Sequence, residues 1–116
     1  MLLCVRIVSA HHSFAAEFDA SKPVHLEGAI ASVDWTNPHI TIYMDVKNAG
    51  GNVSHWSIEA GSPNALSRRG LSKLRLAPGT RVVIDGYLAK TAKDRATGSS
   101  VTFSDGLRIV LDPRGP

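Results

Sequence analysis

Five histidines carry most of the chemistry that this chain offers: His11, His12, His25, His39 and His55. The first two follow Val8-Ser9-Ala10, small residues of the kind a signal peptidase requires. Cleavage after Ala10 would make His11 the mature N-terminus. A terminal histidine presents its α-amine and a ring nitrogen to the same metal, and the amine, with a pKa of about 7.7–8.0, deprotonates readily at neutral pH. One further imidazole, from His12 or from His39, gives three nitrogens in a near-planar set that suits Cu(II). The expected metal ligands are therefore His11, His12 and His39, with copper as the cofactor. Glu59 and Tyr43 are expected as outer-shell or axial partners.

Each of these residues also has a plainer reading. His25 and His55 fit surface or hydrogen-bonded strand positions, His39 fits a turn whose ring caps backbone groups, and His11-His12 fits an exposed tail. Ser62, His39 and Glu59 do not make a hydrolytic site by sequence, because no strained G-x-S-x-G turn is present. Arg68 and Arg69, with Lys73 and Arg75, form a basic cluster able to hold a carboxylate or phosphate, or simply a solvated face. Trp35 and Trp56 read as packing residues, although Trp35 beside the Asn37-Pro38 turn is also placed to stack a flat ligand. A metal-free ligand face would draw on Trp35, Asn37, Tyr43, Glu59, Asn64, Arg68 and Arg69.

Composition narrows the classes. With 116 residues and 43% hydrophobic content, one compact domain is expected. The net charge of +3 falls short of the dense basic face that nucleic-acid binders carry. The single cysteine, Cys4, excludes an internal disulfide framework and a Cys-based zinc site. No run approaches the ~20 apolar residues of a membrane span. Residues 1–10, MLLCVRIVSA, read as the remnant of a secretory signal peptide whose start lies upstream. The rival reading is an ordinary N-terminal strand. The expected compartment is periplasmic or extracellular, and the expected partners are a metal ion or small ligand and a periplasmic protein, not nucleic acid.

The elements that must position these side chains follow from periodicity. Residues 11–23 read as an arm, with Phe14 and Phe18 packing onto the body. Residues 24–35 form a first strand whose buried parity switches from Val24, Leu26, Gly28 and Ile30 to Val33 and Trp35. Such a switch needs a bulge or bend. Asn37-Pro38 turns into a second strand with Ile40, Ile42, Met44 and Val46 inward and His39, Thr41, Tyr43 and Asp45 outward. The loop at 48–52 folds a hairpin onto a third strand, 53–60, setting Asp45 opposite His55, Tyr43 opposite Ser57 and Thr41 opposite Glu59. Trp56 and Ile58 then face inward. Ser62 as N-cap, Pro63 at the first position and Gly70 as stop predict a short helix over 64–69. Leu66, Leu71, Leu74 and Leu76 are its expected core contacts. A fourth strand covers 81–89, residues 90–98 read as a polar loop, and a fifth strand begins near Ser99. Residues 112–116 read as a frayed tail.

Three strands, a helix and two strands predict an all-β domain over 24–111 with one short helix: a small five-stranded OB-like Greek-key barrel, with the helix between strands three and four. A β-sandwich fragment or a split sheet with one helix is the rival. The blocks HHSFAAEFD, VDWTNPHI, SPNALSRRG and APGTRVVIDGY resemble a family of small secreted bacterial proteins of unknown function, over nearly all of the chain after residue 10. That resemblance implies export and carries no activity. The amine-plus-imidazole arrangement separately resembles the copper site of secreted oxidative enzymes and of copper chaperones, sharing a device with them and not a fold. The expectation is an exported binding module that takes copper. A metal-free ligand- or protein-binding module and an oxidative metalloenzyme at the same site stand as alternatives.

Overall fold

The structure is a computed structural model that describes residues 16–112. His11, His12 and Phe14, the leader at 1–10 and residues 113–116 lie outside the described residues. The elements run in the order β1 (Phe18–Asp34), β2 (Thr41–Lys47), β3 (Val53–Glu59), helix α1 (Pro63–Arg68), a 3-10 turn (Leu74–Leu76), β4 (Arg81–Ala89), β5 (Arg95–Phe103) and β6 (Arg108–Val110). The chain is all-β with one short helix, as its patterning predicts.

Strand β1 is the longest element, at 17 residues, and starts within the stretch read as an arm. Its first part pairs with β4, from Phe18↔Ala89 to Ala29↔Arg81. Its last part pairs with β2, from Ala29↔Asp45 to Asp34↔Thr41. The register slips between Ile30 and Ser32, where the change of buried parity calls for a bulge. Phe18 is buried against Ala89, Tyr87 and Ala92, and the Arg95 guanidinium lies 5.2 Å from its ring centre.

The hairpin has the predicted register, with Thr41↔Glu59, Tyr43↔Ser57 and Asp45↔His55 paired. Its loop closes through Asn48 N–H to the Asn52 carbonyl at 2.7 Å, and Gly51 takes a φ of 89°. β3 pairs in parallel with the start of β5, Ser57↔Arg95 to Glu59↔Thr97. β5 pairs along β4, so the pairings β1–β2–β3–β5–β4–β1 close a ring of five strands. β6 hangs on the far end of β5.

Three expectations change. β5 begins at Arg95 and not near Ser99. Residues 95–98 lack apolar alternation, and it is the two flanking strands that order them. Leu74 is 87% exposed, while Leu66, Leu71 and Leu76 are fully buried; the 3-10 turn rotates Leu74 outward. Trp56 is half-buried against the core edge, while Ile58 is completely enclosed.

The core is one aliphatic cluster in which Ile40, Ile42, Met44, Ile58, Leu66, Leu76, Ile84, Val101 and Leu111 have no exposed surface. Burying side chains of this size stabilises by roughly 1.5–3 kcal/mol each before entropy is counted. The tightest backbone approach is at Gly86, where a Cβ would sit 1.8 Å from the Thr97 carbonyl oxygen, beside the bulge between Asp85 and Gly86.

On the outer face, His25 on β1 meets Asp85 on β4, Nδ1 to Oδ1 at 2.5 Å. His55 on β3 meets Asp45 on β2 at 2.6 Å. Both pairs are solvent-exposed. The hydrogen bond to Asp85, with that carboxylate's charge and a smaller contribution from Glu27, raises the His25 pKa above 6.5 against a slight burial penalty.

Two outcomes are expected. Gly86→Ala drives a methyl into the β4–β5 ladder and should lower the unfolding free energy by about 3 kcal/mol, read from a denaturant transition; a loss under ~1 kcal/mol would contradict the close approach. The His25 ring should titrate above 6.5 by NMR and return toward 6.5 in Asp85→Asn. Because the folded-state pKa is the raised one, the stabilisation is complete below 6.5 and disappears as pH climbs through the folded midpoint. The difference between wild type and Asp85→Asn in a denaturant midpoint should therefore shrink as pH rises from below 6.5 through the folded midpoint.

Candidate functional site

Three segments distant in sequence meet at one end of the ring. Ile40 N–H donates to the Gly61 carbonyl at 3.0 Å, Ala60 N–H donates to the Ile40 carbonyl at 2.8 Å, and Gly61 N–H donates to the Leu111 carbonyl at 3.0 Å. Gly61 has no room for a side chain here, since a Cβ would lie 2.7 Å from the Leu111 oxygen. This ladder sets His39, Ser62 and Asp112, the residues adjoining it, around a common depression. Pro38, His39, Gly61, Ser62, Ala65, Arg69 and Asp112 line it, and its volume is about 240 Å³.

Each wall has a local cause. Ser62 is the N-cap of α1, with its hydroxyl accepting from Ala65 N–H at 3.3 Å. Pro63 follows at the first helical position, where its missing N–H is no loss. Gly70, at φ 92°, ends the helix as predicted. Arg69 sits at the C-cap and donates from Nη1 to the Val110 carbonyl at 3.2 Å, which ties the helix to β6. The Asn37–Pro38 peptide is cis.

His39 faces Glu59, with Nδ1 3.3 Å from Oε1; the two side chains are 37% and 20% exposed. Glu59 reaches it because β2 and β3 set Thr41 opposite Glu59 and His39 lies two residues before Thr41, on the same outward parity. A carboxylate against Nδ1 favours the tautomer in which Nδ1 carries the proton and Nε2 keeps its lone pair. Nε2 is then the ring nitrogen with which His39 can accept a proton or bind a metal.

The predicted residues divide accordingly. His39 and Arg69 share the cleft, and Glu59 stands behind His39. Tyr43, 41% exposed, lies along the same outer row as Glu59, nearer the hairpin tip. Trp35 is half-buried and packed on the core. Asn37, Asn64 and Arg68 are exposed and do not line this cleft. His11 and His12 lie outside the described residues. Among the described residues no group of three or more His, Cys, Asp or Glu side chains is arranged to hold a metal ion.

Sequence reasoning missed Asp112, Gly61 and Ala65. Asp112 reads as the start of a frayed tail but is only 7% exposed. Its position follows from the Leu111 backbone bonds, Gly61 N–H to Leu111 O and Leu111 N–H to Ser99 O at 2.8 Å. Leu111 itself is fully buried, but the contact that anchors Asp112 is a backbone bond to a distant segment, which the sequence does not signal.

No helix among the described residues is long and apolar enough to cross a membrane. No curated protein and no solved structure matches the chain. Over residues 1–99 it matches a family of unknown function, DUF6152, and with most of its length so covered the chain belongs to that family.

Proposed function

We propose that this protein is a small exported binding module in which His39, oriented by Glu59, supplies one imidazole to a copper ion. The observation that carries the reading is the His39–Glu59 contact at 3.3 Å. Metal-ligating histidines commonly engage a carboxylate through the other ring nitrogen, which fixes the tautomer and raises ligand basicity. His25 and His55 are each paired with an aspartate on the open outer face, and their side chains are far more exposed than that of His39. One imidazole is not a site. The remaining nitrogens come from His11, through its α-amine and ring, and from His12, if export ends with cleavage after Ala10. The ring of strands suits this role as a support, because His39 adjoins Ile40, whose backbone is bonded to Ala60 and Gly61.

The cleft itself favours a second, metal-free reading. Arg69 and His39 line a space of about 240 Å³ together with Ser62 and Asp112. That set offers a guanidinium and a hydroxyl group to a small carboxylate.

A Cu(II) titration with EPR separates the two. Protein beginning at His11 should bind one ion with a nitrogen-rich signature, and a version with one extra N-terminal residue should not. His39→Ala should weaken the His11-terminal form at least tenfold, or ~1.4 kcal/mol, and Glu59→Gln by roughly tenfold. Equal, weak binding in every form would remove copper and leave the small-ligand cleft.

A further inference from the structure

The other end of β1 has an edge without a strand partner. Ile30 turns both backbone groups toward the chain before β4: its N–H donates to Thr80 O at 2.9 Å, and its carbonyl accepts from Gly79 N–H at 2.7 Å. Backbone groups alternate sides along an antiparallel strand, and β1 pairs with β4 without a slip from Pro23 to Ala29. Gly28, Leu26 and Val24 therefore also face β4, while Ala29, Glu27 and His25 face away from it. Ala29 meets Asp45 on β2. Glu27 and His25 lie beyond the last β1–β2 pair, and no strand among the described residues pairs with them on that side. Pro23, of the same parity, has no N–H to offer, which is where an edge tolerates proline.

The facing wall is similar. Asn48 N–H bonds to Asn52 O, so the even-numbered residues of β2 face β3 and Lys47 turns its backbone groups toward β1. β1 and the hairpin diverge after Ala29↔Asp45, and a groove of about 540 Å³ opens between them. Its lining includes His25, Glu27, Asp45, Val46, Lys47 and Arg81. Val24 and Val46, both only partly buried, mark its inner side. The Asp45 and Asp85 carboxylates are taken by His55 and His25. Lys47, Arg81 and Glu27 make no side-chain hydrogen bond or ion pair among the described residues, so the unpartnered charge at the rim is two cations against one carboxylate.

We infer that this groove is a second binding site, one that takes an extended peptide segment of another protein by strand addition to β1. Main-chain bonds to Glu27 and His25 hold the peptide. Its inward side chains are apolar and extend the layer of Val24 and Val46, and its outward side chains are acidic and meet Lys47 and Arg81. The rival edge, β6, is three residues long, too short to register a strand. The site is independent of the His39 cleft.

The test uses the full chain, 15N-labelled, with a blocked hexapeptide of alternating valine and glutamate. Its controls are a valine–lysine hexapeptide and a valine–glutamate peptide with proline at its third position. The glutamate peptide should bind saturably and slow amide exchange at His25 and Glu27. The proline peptide should bind at least tenfold more weakly. Lys47→Glu with Arg81→Glu, both exposed positions whose effect on folding a thermal melt checks, should invert the preference toward the lysine peptide. Unslowed exchange at His25 and Glu27 under saturation, equal binding of the proline peptide, or protection confined to Arg108–Val110 would each overturn the inference.

Discussion

The architecture depends on how the ring closes between β3 and β5. That seam is parallel and only three residue pairs long, Ser57↔Arg95 to Glu59↔Thr97, in a sheet that is otherwise antiparallel. Beyond Glu59 the strand can no longer run beside β5. The chain instead passes through Ala60 and Gly61, which bond to Ile40 on one side and Leu111 on the other. Those bonds satisfy backbone groups at this end of the ring that would otherwise be orphaned, at a penalty of ~1–3 kcal/mol for each. They also enclose Leu66 and Leu111, which cap the core. The His39 cleft is the outer surface of this closure, and its residues are held by the same bonds that complete the fold.

All three described histidines carry a carboxylate at Nδ1, but the contacts differ in kind. His25–Asp85 and His55–Asp45 are short and largely exposed; pairs of this sort add little to stability, because water competes for both partners and two side chains must be immobilised. Their effect is local, since each engages one carboxylate oxygen of an aspartate near the groove beside β1. His39–Glu59 is longer and better shielded. There the carboxylate lies against the ring at the mouth of a cleft.

Much of this was legible in the chain. Strict alternation on both sides of Asn48-Ala49-Gly50-Gly51-Asn52 dictates the hairpin register, because slipping by one residue would expose Ile42, Met44 and Ile58 together. The parity change near Ala31 forecast the bulge, and Ser62, Pro63 and Gly70 forecast the helix and its limits. Residues 95–98 were not legible, because Arg-Ala-Thr-Gly has no strand signature and is ordered by its pairing with β3 and β4. The cleft was half legible. His39 and Arg69 stood out by chemistry. Asp112 did not, because its burial follows from Leu111 bonding across to Gly61, a contact with no local trace. The pairing of His39 with Glu59 was implied by the hairpin register, whereas His25 with Asp85 required the β1–β4 pairing of strands sixty residues apart.

A strand of 17 residues whose two partner strands are shorter, β2 with 7 residues and β4 with 9, is not paired on both sides along its whole length. β1 is shared with β4 over its first part and with β2 over its last, and the two overlap at Ala29. The consequence is geometric: a closed ring of pairings of this kind leaves backbone unpaired on alternate sides of its longest strand. One end of the ring compensates with the Ile40–Gly61–Leu111 ladder, and the resulting surface is concave, rigid and furnished with a histidine. The other end, past Ala29, has no such insert and stays open as a groove with backbone groups on its wall. Both sites therefore arise where regular strand pairing stops, and they differ because one gap is filled by the chain's own turns and the other is not. Recognition by side-chain chemistry belongs to the first, and recognition by main-chain complementarity to the second.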